Sequence, residues 1–389
     1  MSELSAHGPL KLGMVGGGRD AFIGAVHRLA AQLDASFVLT AGALSSSAEK
    51  ALASARELGL APERSYGSWK EMAAAEVKRP AGERIDAVTI VTPNATHFEI
   101  SRGFLEAGIP VILDKPMVTS LREARELAAA VEKTGTLLAV TYNYTGYPMV
   151  KHAAHLVRSG ELGAIRKVFV EYHQGWLATR LEESGQKQAA WRNDPAQAGA
   201  GGSVGDIGTH AENLLHTVTG LKIESLCAEL NSLVPGRTLD DDATILMRLA
   251  GGARAVITVC QVAIGEQNNL TLRVHGDKGS LWWRQEEPNQ LKVATIDGTT
   301  RILSRGEALS PGAAAATRLP TGHPEGFIEG FANVYRGAAQ AIRDRAAGRK
   351  PSGLGAEVPT VLDGLRGVAF IEHVVKSGKA GGAWVKWEG

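Results

Sequence analysis

From residue 10 to about 141, short apolar runs alternate with stretches whose apolar residues recur every three or four positions. The runs predict strands at 11–15, 37–43, 87–91, 110–114 and 137–141, and the stretches predict helices such as 47–58, 96–107 and 121–134. Strand and helix in strict alternation imply a parallel, doubly wound sheet.

The pattern changes after Tyr147. A helix at 148–159 and a strand at 165–172 lead into the glycine-rich "AGAGGSVGDIGTH" and a further helix. Strands then follow without helices between them, at 226–231, 243–249, 253–261, 270–275 and 280–283. In "LTLRVHG", Leu270, Leu272 and Val274 share one face, and Thr271, Arg273 and His275 the other. That alternation marks half-buried strands of an open, mainly antiparallel sheet. "SPGAAAATRLPTGHP" reads as a loop, and helices at 326–346 and 360–376 close the chain. The chain is therefore an α/β protein of two domains, 1–145 and 146–389, with the C-terminal helices free to pack back on the first.

Composition narrows the functions. The 42 Lys and Arg against 41 Asp and Glu leave no basic surface for nucleic acid. The two cysteines, Cys227 and Cys260, make neither a disulfide framework nor a metal cluster. No secretion signal opens the sequence, and no apolar run reaches the roughly 18 residues of a membrane span. These features predict a cytoplasmic protein with no membrane partner and no metal.

Four stretches carry candidate chemistry. "GMVGGGRDAFIGAVHR" follows the first strand and opens a helix, where a glycine turn lets the backbone approach a pyrophosphate. Gly16 and Gly18 fit the dinucleotide spacing, but Ala21 stands at the third glycine and Gly24 comes three residues late. Phe22 and Ile23 begin the helix beside the turn. After the second strand, Ser45, Ser46 and Ser47 supply neither an acidic residue for a ribose nor an arginine for a 2′-phosphate. The absent arginine favours NAD and leaves NADP open.

"TPNATH" places Thr92, Pro93, Asn94 and His97 beyond one strand, and "VILDKP" ends another in Asp114, Lys115 and Pro116. Ligands of a doubly wound sheet bind at these strand ends. His97 reads equally as a helix-start side chain with a local hydrogen bond, and Lys115 as a solvated strand-end charge. In "GGSVGDIGTHAENLLH", Asp206 and His210 are four apart and can share a helix face. A carboxylate beside an imidazole fixes its tautomer; the plain alternative is a capping Asp and a buried structural His. Trp176, Lys187, Trp191 and Arg192 suit a polyol, through aromatic stacking and a guanidinium fork, or they line an ordinary surface loop. Asn143, Tyr144 and Tyr147 follow the last parallel strand and can line the same cleft.

In order and spacing, these motifs resemble the glucose–fructose oxidoreductase/inositol dehydrogenase (Gfo/Idh/MocA) family over nearly the whole chain. "DKP" stands where that family has E-K-P, and "DIGTH" matches its D-x-G-x-H. The resemblance implies a Rossmann domain for NAD(H) or NADP(H), and an α/β domain presenting a substrate site on an open sheet. Gly16, Gly18, Phe22, Ile23, Ser45, Thr92, Pro93, Asn94, His97, Asp114, Lys115 and Pro116 then fall on the cofactor side. Lys115, Asn143, Tyr144, Trp176, Lys187, Trp191, Arg192, Asp206 and His210 fall on the substrate side.

The resemblance implies hydride transfer between a secondary hydroxyl of a sugar or cyclitol and the nicotinamide. His210 is then the base, Lys115 a hydrogen-bond donor and proton relay, and Asp206 the group that orients both; Lys115 and His210 can exchange roles. The same residues would serve an NAD-dependent glycosidase working through transient oxidation. A nucleotide-sensing regulator is disfavoured because Lys115, Asp206 and His210 are all present. Relatives associate through the open sheet, so a homodimer or homotetramer is expected. Two departures stand out: the shorter Asp114 for glutamate, and the expanded glycine turn.

Overall fold

The computed structural model describes residues 8–19, 21–306 and 308–389. Two compact units divide the chain. One takes the described residues up to Val118, Arg122–Asn143 and Phe327–Gly364; the other takes Thr119–Leu121, Tyr144–Gly326 and Leu365–Gly389.

The first unit opens with β1 (Leu10–Gly16), α1 (Phe22–Gln32), β2 (Phe37–Ala43), α2 (Ala48–Glu57) and α3 (Trp69–Val77). It continues through β3 (Ala87–Val91), α4 (His97–Glu106), β4 (Val111–Leu113), α5 (Leu121–Thr134) and β5 (Leu138–Val140). The five strands pair in the order β2-β1-β3-β4-β5, all parallel. Every residue of β3 is buried, as a central strand covered on both faces requires.

In the second unit, α6 (Pro148–Arg158) precedes β6 (Ile165–His173), α7 (Lys187–Arg192), α8 (Pro195–Ala198) and α9 (Thr209–Thr219). Then come β7 (Ile223–Asn231), β8 (Asp242–Leu249), β9 (Arg254–Cys260), β10 (Asn269–Gly276), β11 (Gly279–Arg284), β12 (Gln290–Thr295), β13 (Thr300–Ser304) and α10 (Pro311–Ala316). The last elements are α11 (Phe327–Ala346), α12 (Val361–Lys379) and the short β14 (Val385–Lys386). The second sheet runs β13-β12-β11-β10-β6-β9-β8-β7-β14 and is antiparallel except at β6–β9. Burial alternates along β8 and β10, so one face is packed and the other faces outward.

Although distant in sequence, α11 belongs to the first unit. Its Phe331, Tyr335, Ala338 and Ala339 join Leu12, Val26, Phe37 and Ile112 in one core cluster. The segment read as a loop at 310–324 contains α10, since Pro311 at the first helical position and the alanines behind it favour a helical start. Among the described residues no helix is long and apolar enough to cross a membrane.

Candidate active site

The first unit carries the glycine turn. Gly16 and Gly17 have φ of +78° and +69°, the left-handed region that favours glycine. A Cβ at Gly24 would lie 2.3 Å from the Gly17 carbonyl oxygen, so Gly24 lets α1 pack directly on the turn. The late glycine thus does the packing task of the missing third one. Among the described residues no side chain caps the start of α1, and its first turn holds no acidic residue. Open N–H groups at a helix N-terminus suit a pyrophosphate, so this turn fits a dinucleotide. Phe22 is 73% exposed at the helix start. At the end of β2, the Ser45 hydroxyl accepts from the Ser47 N–H at 3.2 Å, and Ser47 caps α2.

Beyond β3 and β4 the main chain is tied together. His97 is 1% exposed, with Nδ1 3.0 Å from the Pro116 carbonyl and Nε2 2.9 Å from the Thr92 carbonyl. Burial lowers its pKa, against the opposing pull of the Asp114 charge. Its side chain bridges the two motifs. Asp114 Oδ1 accepts from the Lys115 N–H at 2.9 Å and the Thr141 hydroxyl at 3.0 Å. The Lys115–Pro116 peptide is cis. Asn94 and Asn143 are buried, and Pro93 lies at the surface.

In the second unit, Val204–Gly208 forms a π-helical turn that runs directly into α9. Asp206 and His210 therefore sit across a π turn, not on the regular α-helical face their spacing predicts. Asp240 fixes the start of this turn: its carboxylate accepts from the Gly202 N–H at 2.6 Å, the Ser203 hydroxyl at 2.7 Å and the Val204 N–H at 2.8 Å. Burial pushes its pKa up, against these hydrogen bonds.

Asp206 Oδ2 accepts from Gln261 Nε2 at 2.9 Å and pairs with Arg192 Nε at 3.3 Å. The Arg192 guanidinium lies 4.4 Å from the Trp191 ring centroid. Gln174 receives the Trp176 indole N–H at 3.0 Å, and Asn268 receives Gln174 and Tyr172 at 2.8 and 2.7 Å. Tyr144 packs edge-on against His210, ring centroids 4.7 Å apart. The unit thus gathers Tyr144, Trp176, Trp191, Arg192, Asp206 and His210 into one region, whereas Lys115 belongs to the first unit. The Lys187 side chain lies outside the described residues. Gln174, Gln261, Asn268 and Asp240 escaped the sequence reading, because no spacing marks an amide or a remote cap.

Residues 10–142 match the profile of the oxidoreductase family with an NAD-binding Rossmann fold (GFO_IDH_MocA), and residues 150–282 match the GFO/IDH/MocA C-terminal domain. An oxidoreductase from Sinorhizobium meliloti superposes with a TM-score of 0.87 at 46% identity, covering 97% of this chain and 99% of that one. The chain belongs to the GFO/IDH/MocA family. An inositol dehydrogenase homologue from Azotobacter vinelandii, complexed with NADH and myo-inositol, gives a TM-score of 0.90 at 34% identity over 98% of each chain. The levoglucosan dehydrogenase of Pseudarthrobacter phenanthrenivorans is 28% identical over 73% of this chain and 76% of its own. As in the rest of the family, the first unit is an NAD-binding Rossmann fold and the chain is an oxidoreductase.

Proposed function

We propose that this chain is an NAD-dependent dehydrogenase acting on a secondary hydroxyl of a sugar or cyclitol. The observation that carries the reading is the polar constellation of the second unit. Asp206 and His210 stand among Arg192, Gln261, Gln174, Tyr144 and two tryptophans, a mixture of amides, charges and aromatic faces that suits a polyol. Inositol and levoglucosan, named for the two relatives, belong to that class. When bound, NAD supplies the hydride acceptor.

His210 takes the hydroxyl proton as base, and Lys115 donates a hydrogen bond to the reacting oxygen. A positioned base contributes about 10²–10⁴-fold to such a reaction. Gln261 and Arg192 hold the Asp206 carboxylate in place beside the site. NAD is the preferred cofactor because no arginine follows β2. The cysteines Cys227 and Cys260 are both free, which fits a reducing cytoplasm.

A screen of sugars, cyclitols and glycosides with each oxidised cofactor tests the reading, following nicotinamide absorbance and product mass. A keto product formed with stoichiometric NADH supports it. Aglycone release without net NADH would replace it with redox-neutral glycoside cleavage.

A further inference from the structure

We propose that Asn268 is a positioning residue for the reaction, holding His210 in place through the Tyr144–Tyr172 pair. The proposal rests on the reading of His210 as the base.

The direction of the hydrogen bonds carries the argument. An indole N–H can only donate and a carboxylate can only accept. Trp176 Nε1 lies 3.0 Å from Gln174 Oε1, which fixes that end of the Gln174 amide as the oxygen. Asp206 Oδ2 lies 2.9 Å from Gln261 Nε2, and the same Nε2 reaches Gln174 Oε1 at 3.3 Å. Two independent anchors therefore agree on the orientation of Gln174. Its Nε2 then donates to Asn268 Oδ1 at 2.8 Å, which leaves Asn268 Nδ2 to donate to the Tyr144 hydroxyl at 3.1 Å.

Tyr172 gives its single hydroxyl proton to Asn268 Oδ1 at 2.7 Å. In the 2.5 Å contact between the two phenols, Tyr144 is consequently the donor. Tyr144, Tyr172 and the Asn268 amide form a closed ring of hydrogen bonds running one way. Neither phenol proton is left for a substrate, so the tyrosines serve as structure around the base. Burial raises the pKa of both phenols, which keeps them neutral and the ring intact.

The Tyr144 ring transmits the constraint. One side stacks parallel to Tyr147, with centroids 6.3 Å apart and planes 4° apart. Its contact with His210 is edge-on, at 4.7 Å and 70°. Turning the imidazole towards Tyr144 would press on a ring whose hydroxyl is held by Asn268 and Tyr172. The Asn268 main chain is secured separately, its N–H donating to Glu286 at 3.0 Å and its carbonyl accepting from Leu270 at 2.9 Å. Truncating the amide therefore releases the phenols without releasing the loop.

The experiment compares wild type, His210→Ala, Asn268→Ala, Asn268→Asp, Tyr144→Phe and the Asn268→Ala/Tyr144→Phe double variant, each with NAD and an oxidisable polyol. Asn268→Asp still accepts from Tyr172 and Gln174 but cannot donate to Tyr144. Asn268→Ala is expected to lower kcat about 10–100-fold, as a base misplaced by about 1 Å would. NAD Kd stays within about threefold, and the melting temperature falls by a few degrees because the Tyr172 and Gln174 donors lose their acceptor. Asn268→Asp falls between it and wild type. The double variant is no slower than the worse single one, because both changes break the same ring. A crystal structure of Asn268→Ala shows the His210 imidazole turned from its place against Tyr144, a readout independent of turnover. Wild-type kcat in Asn268→Ala, multiplying effects in the double variant, or an unmoved imidazole would overturn the proposal. Wild-type activity in His210→Ala would instead remove the reading of His210, and the proposal with it.

Discussion

The Asp240 carboxylate, from the segment before β8, accepts the Val204 N–H at 2.8 Å and so caps the turn that bears Asp206. It also takes the Gly202 N–H and the Ser203 hydroxyl. A Cβ at Gly202 would meet the Asp240 carbonyl oxygen at 2.2 Å, so a glycine is required there. Removing a buried acceptor strands its donors at a cost of about 1–3 kcal/mol. Asp240→Ala should lower the melting temperature by several degrees and kcat by more than about tenfold. Calorimetry and steady-state kinetics check both; an unchanged kcat would detach the cap from the site.

Lys115→Ala tests the first unit's contribution. Loss of a group acting on the transferred proton should cut turnover by at least about a hundredfold. NAD should still bind, since the glycine turn and α1 are untouched. Near-normal turnover would make Lys115 a plain strand-end charge.

His27 gives a pH prediction. It is fully buried, 2.7 Å from the Tyr335 hydroxyl and 3.3 Å from the Thr89 hydroxyl. Desolvation lowers its pKa to about 4, against the Asp114 charge, which raises it. The unfolded imidazole titrates near about 6.5. Between those values the unfolded chain binds the extra proton, so stability is present above about 6.5 and lost as pH falls towards 4. The loss approaches about 3 kcal/mol. In His27→Gln, denaturant unfolding at pH 7 and pH 4.5 should differ less than in wild type. An identical difference would assign the acid sensitivity elsewhere, His97 being the next group with a depressed pKa.

The outward face of the nine-stranded sheet is read as a self-association surface. Ile302 is 62% exposed there, and Lys292 and Arg273 lie over the Trp282 and Phe169 rings. Apolar side chains grouped among polar ones on an exposed face mark interaction sites. Light scattering should give a dimer or tetramer at micromolar concentration, and Trp282→Glu with Ile302→Asp should give a smaller species. A wild-type monomer would refute this.

Periodicity exposed most of the fold. The spans predicted at 37–43 and 87–91 coincide with β2 and β3, because their residues are apolar on both faces. The strands β12 and β13 escaped: Leu291 and Val293 do alternate with Gln290 and Lys292 as in β10, but the run is short, and β13 opens on Thr300 and Arg301 with no buried alternation. Helix α3 escaped because the sequence reading placed only the helix at 47–58 between its second and third strands, and the apolar residues of Trp69–Val77 form no single stripe. The chemistry divides in the same way. Asp206, His210 and Lys115 stand in motifs, while Gln174, Gln261 and Asn268 meet only through sheet register. His173, the last residue of β6, pairs with Cys260 on one side and with Asn269 on the other, so Gln174 just after it falls level with Gln261 and Asn268. Such neighbours have no local spacing to betray them.

The placement of α11 bears on how the protein is made. Its Phe331, Tyr335 and Ala338 complete a core whose other members, Leu12, Val26, Phe37 and Ile112, leave the ribosome first. At roughly 5–20 residues per second, the stretch from Asn143 to Phe327 takes on the order of 10–40 s to synthesise. For that interval the nascent Rossmann sheet has an uncovered apolar face, and the second unit emerges while the first still waits for its last helix.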